Sequence, residues 1–193
     1  MSKKRNLCKA FIVVIACLTV MMMFSMTSVA RDFVETDRKC TLDLTYKYEE
    51  TFFSGVEVNI YKVASFNKVG EFELAGAFAD YAVDVVNVKS QDEWNALADT
   101  LAAYVVADSL MPTATATTNE NGVAAFADLE VGLYLIGGFV AEYIDNGTVQ
   151  YDDFLISVPG LDDAENWIYD VDSLPKPLYH EPVYEEIEYS VVK

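Results

Sequence analysis

The sequence predicts an all-β chain, an antiparallel Ig-like β-sandwich carrying one inserted amphipathic helix at about 91–107. Three observations carry that prediction. Short runs of alternating apolar and polar residues recur between Gly, Asn and Pro turn signals. No stretch alternates strands with helices as a parallel βαβ sheet requires. One segment only, after Ser90, switches to three- and four-residue apolar spacing.

The first thirty residues stand apart. Lys3, Lys4, Arg5 and Lys9 precede an apolar run from Phe11 to Phe24, and Ser28-Val29-Ala30 supplies small residues for cleavage. Residues 1–30 therefore read as a signal peptide cut after Ala30, and the membrane is met only through it during export. The run is short for a span, which needs roughly 20 residues. An uncleaved anchor and lipidation at Cys17, after Val14-Ile15-Ala16, are the alternatives. Removing the segment takes four of the 13 basic residues and none of the 31 acidic ones, leaving nine against 31 and a net charge of −22. Such a charge repels nucleic acid, which is excluded as a partner. Cys8 and Cys17 leave with the signal, so Cys40 stands alone and an internal disulfide is excluded.

Residues 31–39 read as an N-terminal extension and 40–175 as the sandwich domain. Thr41 to Lys47 alternates with Leu42, Leu44 and Tyr46 on one face, and Val56, Val58 and Ile60 resume the period. Asn67 to Gly70 is a turn into an extended Phe72–Leu74. Ser90-Gln-Asp-Glu93 is a capping box, each side chain meeting the other's free backbone N–H. Trp94, Leu97, Leu101, Tyr104 and Val105 form the helix stripe. Pro112 to Thr118 reads as a loop, and Asn121-Gly122 as a hairpin turn. Strands are expected at Val123–Phe126, Gly132–Gly137 and Phe139–Tyr143. A second hairpin turn at Asn146-Gly147 leads into a strand from Val149 to Val158, and the last strand is Trp167–Val171. Residues 176–193 read as a Pro-rich acidic tail in which Glu185–Lys193 begins to alternate like the strand of a further domain.

Reactive chemistry is scarce. The single histidine, His180, lies in the tail, so a Ser-His-Asp or histidine metal site inside the domain is excluded, and no catalytic residue, metal or cofactor is assigned. Asp152-Asp153 and Asp162-Asp163 with Glu165 supply carboxylates, but their order does not match an EF-hand loop. Acidic turns of this kind are usually solvated.

Four segments resemble one family. Phe126-Ala-Asp-Leu129 followed by Gly132-Leu-Tyr-Leu-Ile136 is similar to the "F-x-x-L-x-x-G-x-Y-x-L" strand of collagen-adhesin B-type (Cna-B) domains. Ser54 to Val63 resembles their "LxGxxFxxYKV" strand. Phe154–Pro159, Trp167–Val171 and Pro175-Lys176 resemble "PFLVSVP … WNYDV … YPKN", which closes the N-terminal domain of Gram-positive shaft pilins. The resemblance implies a secreted cell-surface structural protein, a pilin backbone or adhesin-like subunit and not an enzyme, with a sortase, neighbouring pilin subunits and a host surface ligand as partners. It also implies that Lys176 is the sortase acceptor, although Leu174 and Pro177 stand where the motif has tyrosine and asparagine. Gly138 occupies the place of the Glu that assists the family's internal isopeptide bond, so no such bond through Lys47 is expected. The other readings are a stand-alone carbohydrate- or host-protein-binding module and, from another class, a carboxylate-dependent glycosidase.

Export through this signal predicts that the mature chain begins at Arg31, which N-terminal sequencing of secreted protein checks; an acylated Cys17 would instead establish the lipoprotein route.

Overall fold

The computed structural model describes residues 33–143 and 147–182. The signal with its Ala30 cleavage site, the Asn146 half of the second hairpin turn and the alternating run 185–193 lie outside the described residues.

Strand β1 (Cys40–Thr45) buries Leu42 and Leu44 fully, and Tyr46 just beyond it, as its alternation demands. After the small β2 (Lys47–Tyr48) and β3 (Thr51–Phe52) ladder, β4 (Glu57–Phe66) runs for 10 residues. It pairs with β5 (Phe72–Leu74), β6 (Ala114–Thr117) and β8 (Gly132–Ile136), and β8 pairs in turn with β11 (Phe154–Val158). A second sheet places β1 between β7 (Val123–Leu129) and β14 (Asp170–Ser173). A third is ordered β15 (Leu178–His180), β10 (Thr148–Tyr151), β9 (Phe139–Glu142). Helix α1 spans Gln91–Ala107, within the bounds its stripe predicts. The ladder of β12 (Gly160–Leu161) with β13 (Trp167–Ile168) completes the set.

Two apolar clusters sit on opposite faces of the β4–β8 sheet. Leu42, Tyr46, Val58, Ile60, Phe126, Tyr134, Ile136 and Tyr151 fill the space between sheets. Val63, Leu133 and Leu135 meet Leu97, Ala98 and Leu101 of α1, with Phe78 from a 3₁₀ turn (Gly76–Phe78) and Val85 beside them. The helix is thus a third layer covering the outer face of the sheet.

Several expectations change. The sandwich is antiparallel except for β1 with β14, a parallel ladder from Thr41↔Asp170 to Leu44↔Ser173; a parallel neighbour needs a long crossover, and nearly the whole domain lies between the two strands. The Pro112–Thr118 segment is no loop but contains β6, paired with Glu57–Ile60. Its small Thr and Ala side chains carry no apolar alternation, and Thr113 and Thr118 hydroxyls accept the N–H groups of Lys62 and Val56. The Asn121-Gly122 turn exists, with Gly122 at φ +69, but joins β6 to β7 in different sheets and so is not a hairpin. The strand read from Val149 to Val158 breaks at Asp152-Asp153 into β10 and β11, again in different sheets. Trp167–Val171 likewise divides, with buried Tyr169 at the break; its hydroxyl accepts the Glu35 N–H at 2.7 Å. In the capping box Ser90 Oγ accepts the Glu93 N–H at 3.2 Å, whereas the Glu93 carboxylate accepts from Lys89, one residue earlier than expected.

Both domain edges also move outward. Val34, in the nominal extension, is buried and donates its N–H to the Lys68 carbonyl. At the other edge, β15 pairs with β10 from Gln150↔Leu178 to Thr148↔His180, so the sheet continues beyond 175.

Tyr46 is fully buried, with edge-on ring contacts to Phe139 at 4.9 Å and Tyr151 at 5.0 Å. Its hydroxyl has no hydrogen-bond partner among the described residues, which costs the folded state a desolvated donor. Tyr46→Phe keeps the ring and removes that donor. It is expected to raise stability by about 1 kcal/mol in chemical denaturation; a loss of that size would reveal a partner for the hydroxyl.

Candidate functional site

Lys176 lies on a strap, residues 174–177, that carries the chain from β14 to β15 and hence from one sheet to another. Pro175 is buried and Pro177 half-buried, while Lys176 is exposed. The strap cannot slide, because a parallel ladder fixes one side and an antiparallel ladder the other. Two prolines fix φ on either side of the lysine, further restricting its backbone.

The strap borders a groove of about 870 Å³ whose other walls are the Gln91, Asn95 and Asp99 face of α1 and the Asp152-Asp153 corner. Nothing in the local sequence near Lys176 announces these helix residues. Their four-residue spacing puts them on the polar side of α1, and only the packing of Leu97 and Leu101 beneath turns that side toward the strap. Among the described residues the Lys176 amine has no ion-pair or hydrogen-bond partner.

The other candidates have structural partners. Lys47 Nζ lies 5.8 Å over the Phe52 ring. His180 Nε2 is 3.2 Å from Gln150 Oε1 within the β10–β15 ladder. Asp162 accepts the N–H groups of Ala164 and Asn166 and so closes its own turn; those bonds hold its carboxyl below the usual carboxylate range, the Asn166 side chain first among them. Asp153 Oδ1 accepts the Gly138 N–H at 2.8 Å and ties the β8–β9 corner to the β10–β11 corner. Cys40 is buried, and desolvation raises its thiol to about 11, so it is inert rather than nucleophilic. Among the described residues no three His, Cys, Asp or Glu side chains are placed to hold a metal ion, and no helix is long and apolar enough to cross a membrane.

A second cavity, of about 410 Å³, was not anticipated. It is lined by Arg38, Lys39, Lys62 and Glu130, residues far apart in sequence. Glu130 Oε2 meets Lys62 Nζ at 2.6 Å and its Oε1 lies 3.9 Å from Lys39 Nζ. The Lys62 hydrogen bond and charge, with Lys39 adding to them, hold the Glu130 carboxyl below its ordinary value.

No protein-family profile and no curated protein matches the chain. Among solved structures it is similar to the fimbrial protein FimP of Actinomyces oris, at 24% identity over 76% of this chain and 31% of that one, with a TM-score of 0.41. It is also similar to the major pilin SpaD of Corynebacterium diphtheriae, at 20% identity over 75% of this chain and 31% of that one, TM-score 0.43. A third likeness is to the N-terminal domain of the shaft pilin SpaA of Lactobacillus rhamnosus GG, at 15% identity over 77% of this chain and all of that domain, TM-score 0.37. The chain thus spans about a third of the full-length FimP and SpaD chains.

At Gly138 the backbone leaves no space for a side chain. A Cβ there would press on the Tyr151 carbonyl and lie 2.8 Å from the Asp152 carbonyl carbon. Gly138→Ala is expected to destabilise the domain by about 1–3 kcal/mol, as overpacking does, measured by denaturant unfolding; a neutral outcome would show that the two corners can part.

Proposed function

We propose that the chain is a structural subunit of a covalently linked fibre on a Gram-positive cell surface, and that Lys176 is the acceptor amine through which a sortase joins it to a neighbouring subunit. One observation carries the reading. Lys176 is an exposed, unpartnered lysine on a strap held at both sides, bordering a groove able to take an extended peptide. The motif resemblance around Pro175-Lys176 supports the same reading.

The chemistry asks little of this chain. The sortase holds the carboxyl end of a neighbouring subunit as a thioester. The neutral Lys176 amine attacks the acyl carbon, the C–N amide bond forms as the C–S bond breaks, the thiolate leaves on the enzyme, and the amine gives up one proton. This protein supplies position: an amine that neither collapses onto a local carboxylate nor swings with a loose linker. The fibre role makes the protein mechanical, and the enzyme in the process is the sortase.

Position along the domain agrees with a fibre. The β1–β14 ladder runs parallel, so Ser173 and the strap after it lie at the opposite end from Cys40. A link made at one end of a sandwich passes load along its strands.

Lys176→Arg keeps the charge and removes the primary amine. In cells carrying the cognate sortase, wild type is expected to give SDS-resistant multimers with mass spectra placing the isopeptide on Lys176, and the arginine variant none through this domain. Multimers that persist in the variant, linked through Lys68 or Lys89, would remove Lys176 from this role.

A further inference from the structure

A strand at the end of a sheet offers open backbone N–H and C=O groups to any other chain, and proteins guard such edges with charge, proline or a cover. Six strands stand at the ends of the three larger sheets of this domain. Five carry an ionisable side chain: Glu73 in β5, Asp128 in β7, Glu142 in β9, Asp170 and Asp172 in β14, and His180 in β15. The sixth, β11, reads Phe-Leu-Ile-Ser-Val and carries none. Its residues 154–157 are only half-buried, so the edge is not closed over.

The register of the sheet fixes which backbone groups are open. Gly137 donates its N–H to the Asn59 carbonyl, so Leu135 and Gly137 bond toward β4 while Tyr134 and Ile136 bond toward β11. The residues opposite them on β11 are Ile156 and Phe154. Leu155 and Ser157 therefore turn their N–H and C=O groups to the free edge. These groups have no hydrogen-bond partner among the described residues.

Beside that edge a cavity of about 360 Å³ is lined by Phe72, Trp94 and Leu133 together with Leu155 and Ser157. Ser157, the smallest residue of that lining, leaves room for a side chain from the edge to reach Trp94 and Leu133. Gln91, Asn95 and Phe154 border both this cavity and the groove beside Lys176, so the two adjoin. Along the groove Asp99, Asp152 and Asp153 outnumber Lys176, on a mature chain of nine basic and 31 acidic residues. Apolar lining near Ser157 and carboxylates beyond Phe154 call for an occupant that is apolar at one end and basic at the other.

We propose that β11 is a docking edge for an extended, basic segment of a different protein, which joins the sheet as a further strand. The segment's backbone bonds Leu155 and Ser157. One of its aliphatic or aromatic side chains fills the pocket at Trp94 and Leu133, and a lysine or arginine meets Asp99 and Asp152. Main-chain bonds supply the affinity and the pocket supplies the selectivity. A strand matching the five residues of β11 is about 17 Å long, so a short segment suffices.

Docking at β11 needs neither sortase nor the Lys176 amine, so its failure and the failure of the acceptor reading are separate results. The probe is a synthetic peptide of alternating valine and threonine between terminal lysine pairs. It is titrated into the purified mature chain by calorimetry and followed by amide hydrogen exchange. Saturable binding is expected, with exchange slowed at the Leu155 and Ser157 amides and affinity falling as salt rises. Ser157→Pro removes one open donor and leaves the β8 ladder intact; it is expected to lower affinity at least about tenfold. Ser157→Ala keeps that donor and is expected to bind as wild type does. Asp99→Lys is expected to weaken binding about fivefold. Should Ser157→Pro unfold the domain, N-methylation of two successive central residues of the peptide removes a bond from the other side, and is expected to abolish binding. A wild-type chain that does not bind, slowed exchange confined to other residues, or full affinity in Ser157→Pro or for the methylated peptide would each overturn the inference. So would a chain that pairs with its own copies through β11 and excludes the peptide.

Discussion

The sheet built on β4 and β8 must be buried on both faces, and most of the architecture is a response to that requirement. Strand Gly132–Ile136 has no exposed residue: Tyr134 and Ile136 face the other strands, Leu133 and Leu135 face the helix. A strand with water on one side would alternate; this one reads as a continuous apolar run, as strands covered on both faces do. The helix supplies the second cover with Leu97, Ala98 and Leu101. Removing the helix would expose a row of leucine and valine, at roughly 25 cal/mol for each Å² of apolar surface. That far exceeds what the exposed ion pairs of this protein contribute, since pairs such as Lys39–Glu130 are worth about 0–1 kcal/mol each. Packing holds the fold, and charge is left for other work.

Covering one sheet twice also positions the groove beside Lys176. With its apolar stripe pressed on Leu133 and Leu135, α1 turns Gln91, Asn95 and Asp99 toward the Asp152-Asp153 corner. That corner exists because the chain leaves β10 for β11 in another sheet, and Asp153 secures it through the Gly138 N–H. The strap with Lys176 closes the remaining side. A groove assembled from a helix face, a sheet-switching corner and a strap has each wall held by strand pairing or core packing.

The parallel β1–β14 ladder gives the domain its polarity. Because both strands run the same way, the chain enters the sandwich at one end and reaches Lys176 at the other. The Arg38, Lys39, Lys62 and Glu130 cavity lies at the entry.

Local pattern was enough for what depends on neighbours in sequence. The alternation of Leu42, Leu44 and Tyr46 marks a half-buried strand, and Ser90 with the Trp94–Leu101 stripe marks the helix, because burial of one face imposes a period of two or 3.6 on the residues themselves. Lys176 between two prolines was likewise legible as a restrained amine. Pairing partners were not. The Thr-Ala strand β6 carries no apolar signal, and Asp152-Asp153 look like mid-strand polar residues until the two halves are seen in different sheets. Glu130 meets Lys39 and Lys62 across separations of 91 and 68 residues, and no local rule brings them together. Sequence periodicity records which face of an element is buried. Which elements share that buried space, and so which charges meet at either end of the domain, is decided only when the sheets close around Tyr134 and Ile136, because contact between distant segments is a property of the whole packed core.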